Sequence, residues 1–121
     1  MLQSDSDAAL TDESAFLGTS SYMSPEQASG RMKDLTHASD VYGLGAILYE
    51  LLTGRPPFLA DSPMQTLHDV VNAPLVWPRR VDPKIPRDLE TICVKCLDKD
   101  SRQRCDSARQ VAQYLQLYLD G

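Results

Sequence analysis

The chain has 121 residues, enough for one domain with a hydrophobic core of its own. Its formal net charge of −5 argues against non-specific nucleic-acid binding, and no apolar run approaches the ~18 residues of a membrane span. Three cysteines, an odd number, in a chain whose first residues lack a basic-then-apolar leader, fit a reducing compartment; the expected location is cytoplasmic.

Residues 1–15 are polar and acidic, show no period and read as a mobile segment. Three capping boxes follow along the chain, Ser24 with Gln27, Ser62 with Gln65 and Ser107 with Gln110. Pro25 and Pro63 sit at first helical positions, where the missing N–H costs little. After the short helix at Pro25, a long one is predicted over 37–53. Val41, Leu44, Ile47, Leu48, Leu51 and Leu52 recur at helical spacing, and Gly54 ends the run. Few polar residues interrupt this helix, so it is expected to be buried on most sides. Gly43 and Gly45 inside it each cost about 1 kcal/mol against Ala, which is tolerable where another backbone packs close. A third helix is predicted over 63–72. Pro74, Pro78, Pro83 and Pro86 then mark an extended connection through Trp77. Leu89, Ile92, Cys93, Cys96 and Leu97 form the stripe of a fourth helix, and Ala108, Val111, Ala112, Leu115 and Leu119 that of a fifth. No period-2 strand and no internal repeat is visible. The expected fold is all-α, about five helices around a buried central one.

Several constellations invite chemistry and do not support it. Cys93 and Cys96 form a C-x-x-C, but a zinc site needs four ligands, and Cys105 with two scattered histidines makes a poor set. Both cysteines lie on an apolar stripe and read as core. His37 and His68 have no acidic or nucleophilic neighbour at a telling spacing and read as surface or capping residues. Gly43 and Gly45 lie inside a helix with no preceding strand, so they form no phosphate loop. Arg31 and Lys33 are followed by Asp34, and Arg79 and Arg80 form an isolated pair on the Pro-rich connection; both pairs read as solvated. No metal site is expected.

Three ordered blocks carry a resemblance. Gly18-Thr19-Ser20-Ser21-Tyr22-Met23-Ser24-Pro25-Glu26 resembles the end of the activation segment of serine/threonine protein kinases, which read Gly-Thr-x-x-Tyr-[Met/Leu]-[Ala/Ser]-Pro-Glu there. Ser39-Asp40-Val41-Tyr42-Gly43-Leu44-Gly45, followed by Leu48 to Phe58, resembles the family's central buried helix and the turn after it. Leu97 to Arg104 resembles the Leu-x-Lys-Asp-Pro-x-x-Arg block near the end of the domain, with Ser101 in place of the usual Pro; in the central-helix block Gly43 stands in place of a common Ser. The wording of the blocks is most similar to bacterial kinases of the eukaryotic type.

The resemblance implies roles. Gly18, Thr19 and Tyr22 would belong to the loop that receives the substrate peptide. Thr19 would hydrogen-bond the catalytic Asp and the phosphate-handling Lys of an intact enzyme, which favours Ser/Thr acceptors. Ser24, Pro25, Glu26, Asp40, Gly45 and Arg104 would be structural kinase positions. Glu26 would pair with Arg104 in the interior. Asp40 would accept backbone N–H groups of the catalytic loop at the start of the central helix, where the dipole also favours an anion. Thr11 and Ser14 lie in the acidic stretch where the family places activating phosphates, and are candidate phosphosites.

The sequence contains no G-x-G-x-x-G, no Val-Ala-x-Lys, no His-Arg-Asp-x-x-x-x-Asn and no Asp-Phe-Gly. In the family these lie N-terminal to the Gly-Thr block. The expected organisation is therefore an activation-segment remnant over 1–17 and a partial kinase C-lobe over 18–121. The parent activity is ATP-dependent phosphorylation of protein Ser/Thr, with ATP and Mg as cofactors of an intact parent. This chain alone is expected to use no cofactor and to have no catalytic residue. Its expected partners are a protein substrate or the missing kinase half. A non-catalytic docking or decoy module, with the 63–72 helix and the Trp77 loop as its face, is the alternative; a truncated reading frame is a third.

Overall fold

The computed structural model describes residues 20–31, 33 and 35–121. Helix α1 (Pro25–Ala28) starts at a complete capping box. The Ser24 hydroxyl accepts from the Gln27 backbone N–H at 3.3 Å, and the Gln27 side-chain oxygen accepts from the Ser24 N–H at 2.9 Å. Helix α2 (His37–Thr53) starts where the Thr36 hydroxyl accepts from the Ala38 N–H, and it ends at Gly54 with φ +83°. That left-handed turn suits glycine and lets the Gly54 N–H reach the Glu50 carbonyl at 2.8 Å. Helices α3 (Pro63–Asn72), α4 (Pro78–Val81) and α5 (Arg87–Cys96), a 3-10 turn over Ser101–Gln103, and α6 (Ala108–Asp120) complete the order. No strand occurs among the described residues.

Helix α2 is the hub, packing on α4, α5 and α6, while α1 lies against α3. Two adjacent stripes on α2 build the core. Val41 joins Ile92, Cys96, Cys105 and Val111. Tyr42, Ala46 and Tyr49 join Cys93 and Leu97. The α2–α5 crossing is closest at Gly45, where an added Cβ would stand 2.6 Å from the Cys96 Cβ. Gly43, one turn-fraction away, would meet nothing within 4 Å, so only one of the two glycines is needed for close approach.

Three expectations are corrected. Helix α2 is not buried on most sides: Leu44 is 39% exposed, Ile47 52% and Leu51 78%. Its apolar residues run around more of the circumference than α4, α5 and α6 cover. The connection after Pro74 is not extended throughout, because Pro78 opens the one-turn α4. Trp77 offers no side-chain cap; Glu90 of α5 does the work instead, its carboxylate accepting from the Arg79 N–H at 2.9 Å. Only the first capping box is reciprocal. Ser62 and Ser107 each accept the expected N–H, but the Gln65 amide turns to Asp69 and the Gln110 oxygen accepts from the Asp106 N–H.

Candidate functional site

The centre of interest is built from the two ends of the described chain. Asp100 caps the 3-10 turn by accepting from the Arg102 N–H at 3.0 Å, and the turn directs Arg104 inward. Glu26 enters from the first turn of α1, held by the Ser24 box and Pro25, all three buried. Arg104 and Glu26 meet as a two-pronged pair. Nη1 donates to Oε2 at 2.8 Å and Nη2 to Oε1 at 2.9 Å, across 78 residues of sequence. The side chains are 0% and 3% exposed.

A buried charge pair is stable only when its other hydrogen-bonding capacity is met. Here it is. Arg104 Nε donates to the Asp98 carbonyl at 2.7 Å, Nη1 also to Ala38 at 2.9 Å, and Nη2 also to Lys99 at 3.5 Å. All five guanidinium N–H groups thus have acceptors. Ser39 Oγ donates to Glu26 Oε2 at 2.7 Å. Tyr42 presents its ring to the guanidinium at 5.1 Å, a cation–π contact. Burial pushes the Glu26 carboxyl up, but the hydrogen bonds from Arg104 and Ser39 outweigh it and hold the group at about 2. The Tyr42 hydroxyl is buried without a hydrogen-bond partner, and burial drives its pKa well above the usual phenol value. The network clamps four segments: α1, the start of α2, the 98–99 bend and the loop entering α6.

The remaining sequence-predicted residues fall as follows. Tyr22 is half-buried and donates its hydroxyl to the Glu50 carboxylate, which raises its pKa. Ser20 and Ser21 are buried beside it in the chain. Asp40 is exposed in the first turn of α2 and lines a shallow groove with Tyr22, Gln27, Ser39, Leu44 and Ile47. Gly45 seats Cys96. Gly18, Thr19, Thr11 and Ser14 lie outside the described residues. His37 and His68 are exposed, and His68 stands 3.7 Å from Asp69. Cys93, Cys96 and Cys105 are free, buried thiols. Cys93 donates to the Gly45 carbonyl at 3.6 Å, and burial pushes its thiol up to about 12. Among the described residues no group of His, Cys, Asp and Glu is placed to hold a metal ion.

Sequence reasoning missed Ser39 as the third arm on Glu26. It also missed Lys99, whose Nζ lies over the Phe58 ring and donates at 2.6 Å to the Val70 carbonyl near the end of α3. A lysine one position from an acidic neighbour gives no local hint that it will cap a helix 29 residues away.

An all-helical body clamped by a glutamate–arginine pair between an Ser-Pro-Glu turn and a late arginine is the lower lobe of a protein kinase in outline. The protein kinase domain model matches residues 3–115, and the chain belongs to that family. A probable serine/threonine-protein kinase of Streptomyces coelicolor is 40% identical over 97% of this chain and 17% of its own length. The serine/threonine-protein kinase PknB of Mycobacterium tuberculosis is 38% identical over 88% of the chain and 17% of the relative. The twitchin kinase region of C. elegans superposes with a TM-score of 0.69 at 26% identity, over 82% of this chain and 16% of that one. The chain therefore spans about a sixth of the length of the relatives it matches. It carries part of a protein kinase domain.

Proposed function

We propose that this chain is the substrate-side portion of a kinase's helical lobe, whose parent activity is ATP-dependent phosphorylation of Ser and Thr in proteins. The observation that carries the reading is the buried, doubly bonded Glu26–Arg104 pair, at the two positions the motif blocks name. In this reading residues 18–121 form the partial lobe, and residues 1–17 belong to the activation segment. Gly18, Thr19 and Tyr22 receive the substrate peptide. The Tyr22–Glu50 bond ties that loop to α2. Asp40, exposed at the start of α2, awaits the backbone of a catalytic loop, and the uncovered Leu44, Ile47 and Leu51 await the packing partner that a complete lobe provides. Thr11 and Ser14 are the candidate phosphosites. Cytoplasmic placement rests on three buried unpaired thiols; among the described residues no helix is long and apolar enough to cross a membrane.

ATP and Mg belong to the intact parent. The residues present do not fit them: the 121 residues include no Gly-rich loop, catalytic-loop motif or Asp-Phe-Gly, so no step of phosphoryl transfer is assigned to this chain. A chimera tests the proposal. The segment of the M. tuberculosis kinase that matches this chain is replaced by it, and Mg-ATP-dependent labelling of a Ser/Thr protein substrate is measured. The chimera is expected to phosphorylate Ser/Thr, and the isolated chain to incorporate no phosphate. A folded but inactive chimera, or magnesium-dependent labelling by the isolated chain, contradicts it. Phosphate on Thr11 or Ser14 of the active chimera, read by mass spectrometry, supports their assignment; their constant absence removes it.

A further inference from the structure

A groove around the start of α4 has no place in the kinase reading. It is lined by Pro74, Leu75, Val76, Trp77, Arg79 and Arg80, together with Glu90. Trp77 is 51% exposed and Val76 47%. An exposed tryptophan is unusual, because so large an apolar surface is normally buried. This one is held in place. The Tyr49 hydroxyl, rooted in the core, donates to the Val76 carbonyl at 2.7 Å. Pro78 is buried immediately after Trp77, and Glu90 fixes the start of α4 through the Arg79 N–H. The platform is thus built rigid and left open.

Its charge is equally specific. Arg79 and Arg80 make no ion pair among the described residues, although the chain as a whole carries a net charge of −5. The carboxylate in the groove, Glu90, uses Oε2 on a backbone N–H. The groove therefore joins two adjacent cations, set against the single carboxylate of Glu90, to an exposed indole and a valine. Tryptophan and arginine are the residues that most often dominate binding energy at protein interfaces.

We propose that this groove docks an extended acidic peptide segment of a partner protein, its carboxylates facing Arg79 and Arg80 and an adjacent aromatic or branched side chain resting on Trp77. A nucleic acid is the less suitable occupant, since two arginines in an acidic chain give little phosphate neutralisation. The surface lies outside the substrate loop, so the proposal does not depend on phosphoryl transfer.

Fluorescence polarisation with the full 121-residue chain tests it. The probe is fluorescein-labelled Gly-Asp-Glu-Glu-Phe-Asp-Glu-Gly, beside the same peptide with Asn and Gln for Asp and Glu, and a labelled twelve-nucleotide oligo-dT. The acidic peptide is expected to bind saturably, with affinity falling as salt rises. The neutral peptide is expected to bind about tenfold or more weakly. The variant Arg79→Ala/Arg80→Ala should lose about tenfold, and Trp77→Ala a similar amount, with circular-dichroism melts matching the parent chain to show that both fold. Trp77→Phe, which keeps a ring, should lose less than Trp77→Ala. Absence of binding by the parent chain, equal binding of the neutral peptide or of oligo-dT, or unchanged affinity in folded Arg79→Ala/Arg80→Ala each overturns the proposal.

Discussion

Arg102 and Arg104 stand two residues apart and each meets a carboxylate, yet they do different things. Arg102 is 84% exposed and bonds Asp100 at 3.1 Å within one short turn. Arg104 is fully buried and closes a span of 78 residues. If either member of the outer pair is lost, water solvates the survivor, and side-chain entropy and screening had already offset most of the attraction. If Arg104 is lost, Glu26 is left buried without its cation and must either hold an uncompensated charge or take up a proton. Distance alone does not distinguish the two contacts. What distinguishes them is burial, the number of acceptors around the guanidinium and the length of chain the contact closes.

The contrast is broken most severely at Arg104. Arg104→Ala should destabilise the chain by about 3–5 kcal/mol in urea denaturation, because Glu26 is left uncompensated. Arg104→Lys should recover little, since one ammonium cannot serve Glu26, Ala38 and Asp98 together. A loss under 1 kcal/mol for Arg104→Ala would place the inner pair with the outer one.

Acid gives the next largest effect. Glu26 has a carboxyl at about 2 in the folded chain against an ordinary 4.5. The folded state therefore holds the charged form more tightly than the unfolded chain does. That stability is fully present above about pH 4.5 and is lost as pH falls towards 2, about 3 kcal/mol in all. Glu26→Gln should flatten this part of the pH–stability curve while lowering its plateau. A Glu26→Gln curve parallel to that of the parent chain would show that other carboxylates carry the acid sensitivity.

Smaller effects sharpen the packing side of the account. Gly45→Ala should cost about 1–3 kcal/mol, since its Cβ meets the Cys96 Cβ at 2.6 Å and α2 and α5 must separate. Gly43→Ala, with open space around the new methyl, should instead stabilise by up to about 1 kcal/mol. Thermal melts of the two variants should move in opposite directions; movement in the same direction contradicts the assigned crossing. Smallest of all, Arg102→Ala should leave the melting temperature indistinguishable from that of the parent.

Much of this was legible in the residues because it is local. Pro63 and Asn72 bound α3, and Gly54 ends α2 with the positive φ that a glycine there suggests. The Glu26–Arg104 contact was legible only through the motif blocks, since nothing local joins positions 78 residues apart. What stayed hidden depends on groups supplied from elsewhere in the chain. Helix α4 owes its capping to Glu90 on another helix, and Val70 at the end of α3 is capped by Lys99 from the bend. The apolar circumference of α2 showed that it prefers burial but not how much of it its neighbours cover. The same limit applies to Arg79 and Arg80, which read as an ordinary solvated pair until the fold placed them in one groove with Trp77.

A double-mutant cycle between Glu26→Gln and Arg104→Gln, read by urea denaturation at pH 7, addresses the inner clamp most directly. A coupling energy of about 2–3 kcal/mol is the expected result for two members of one buried network. Single losses that simply add, as expected for Asp100 and Arg102, would show that the fold is not held together at this point.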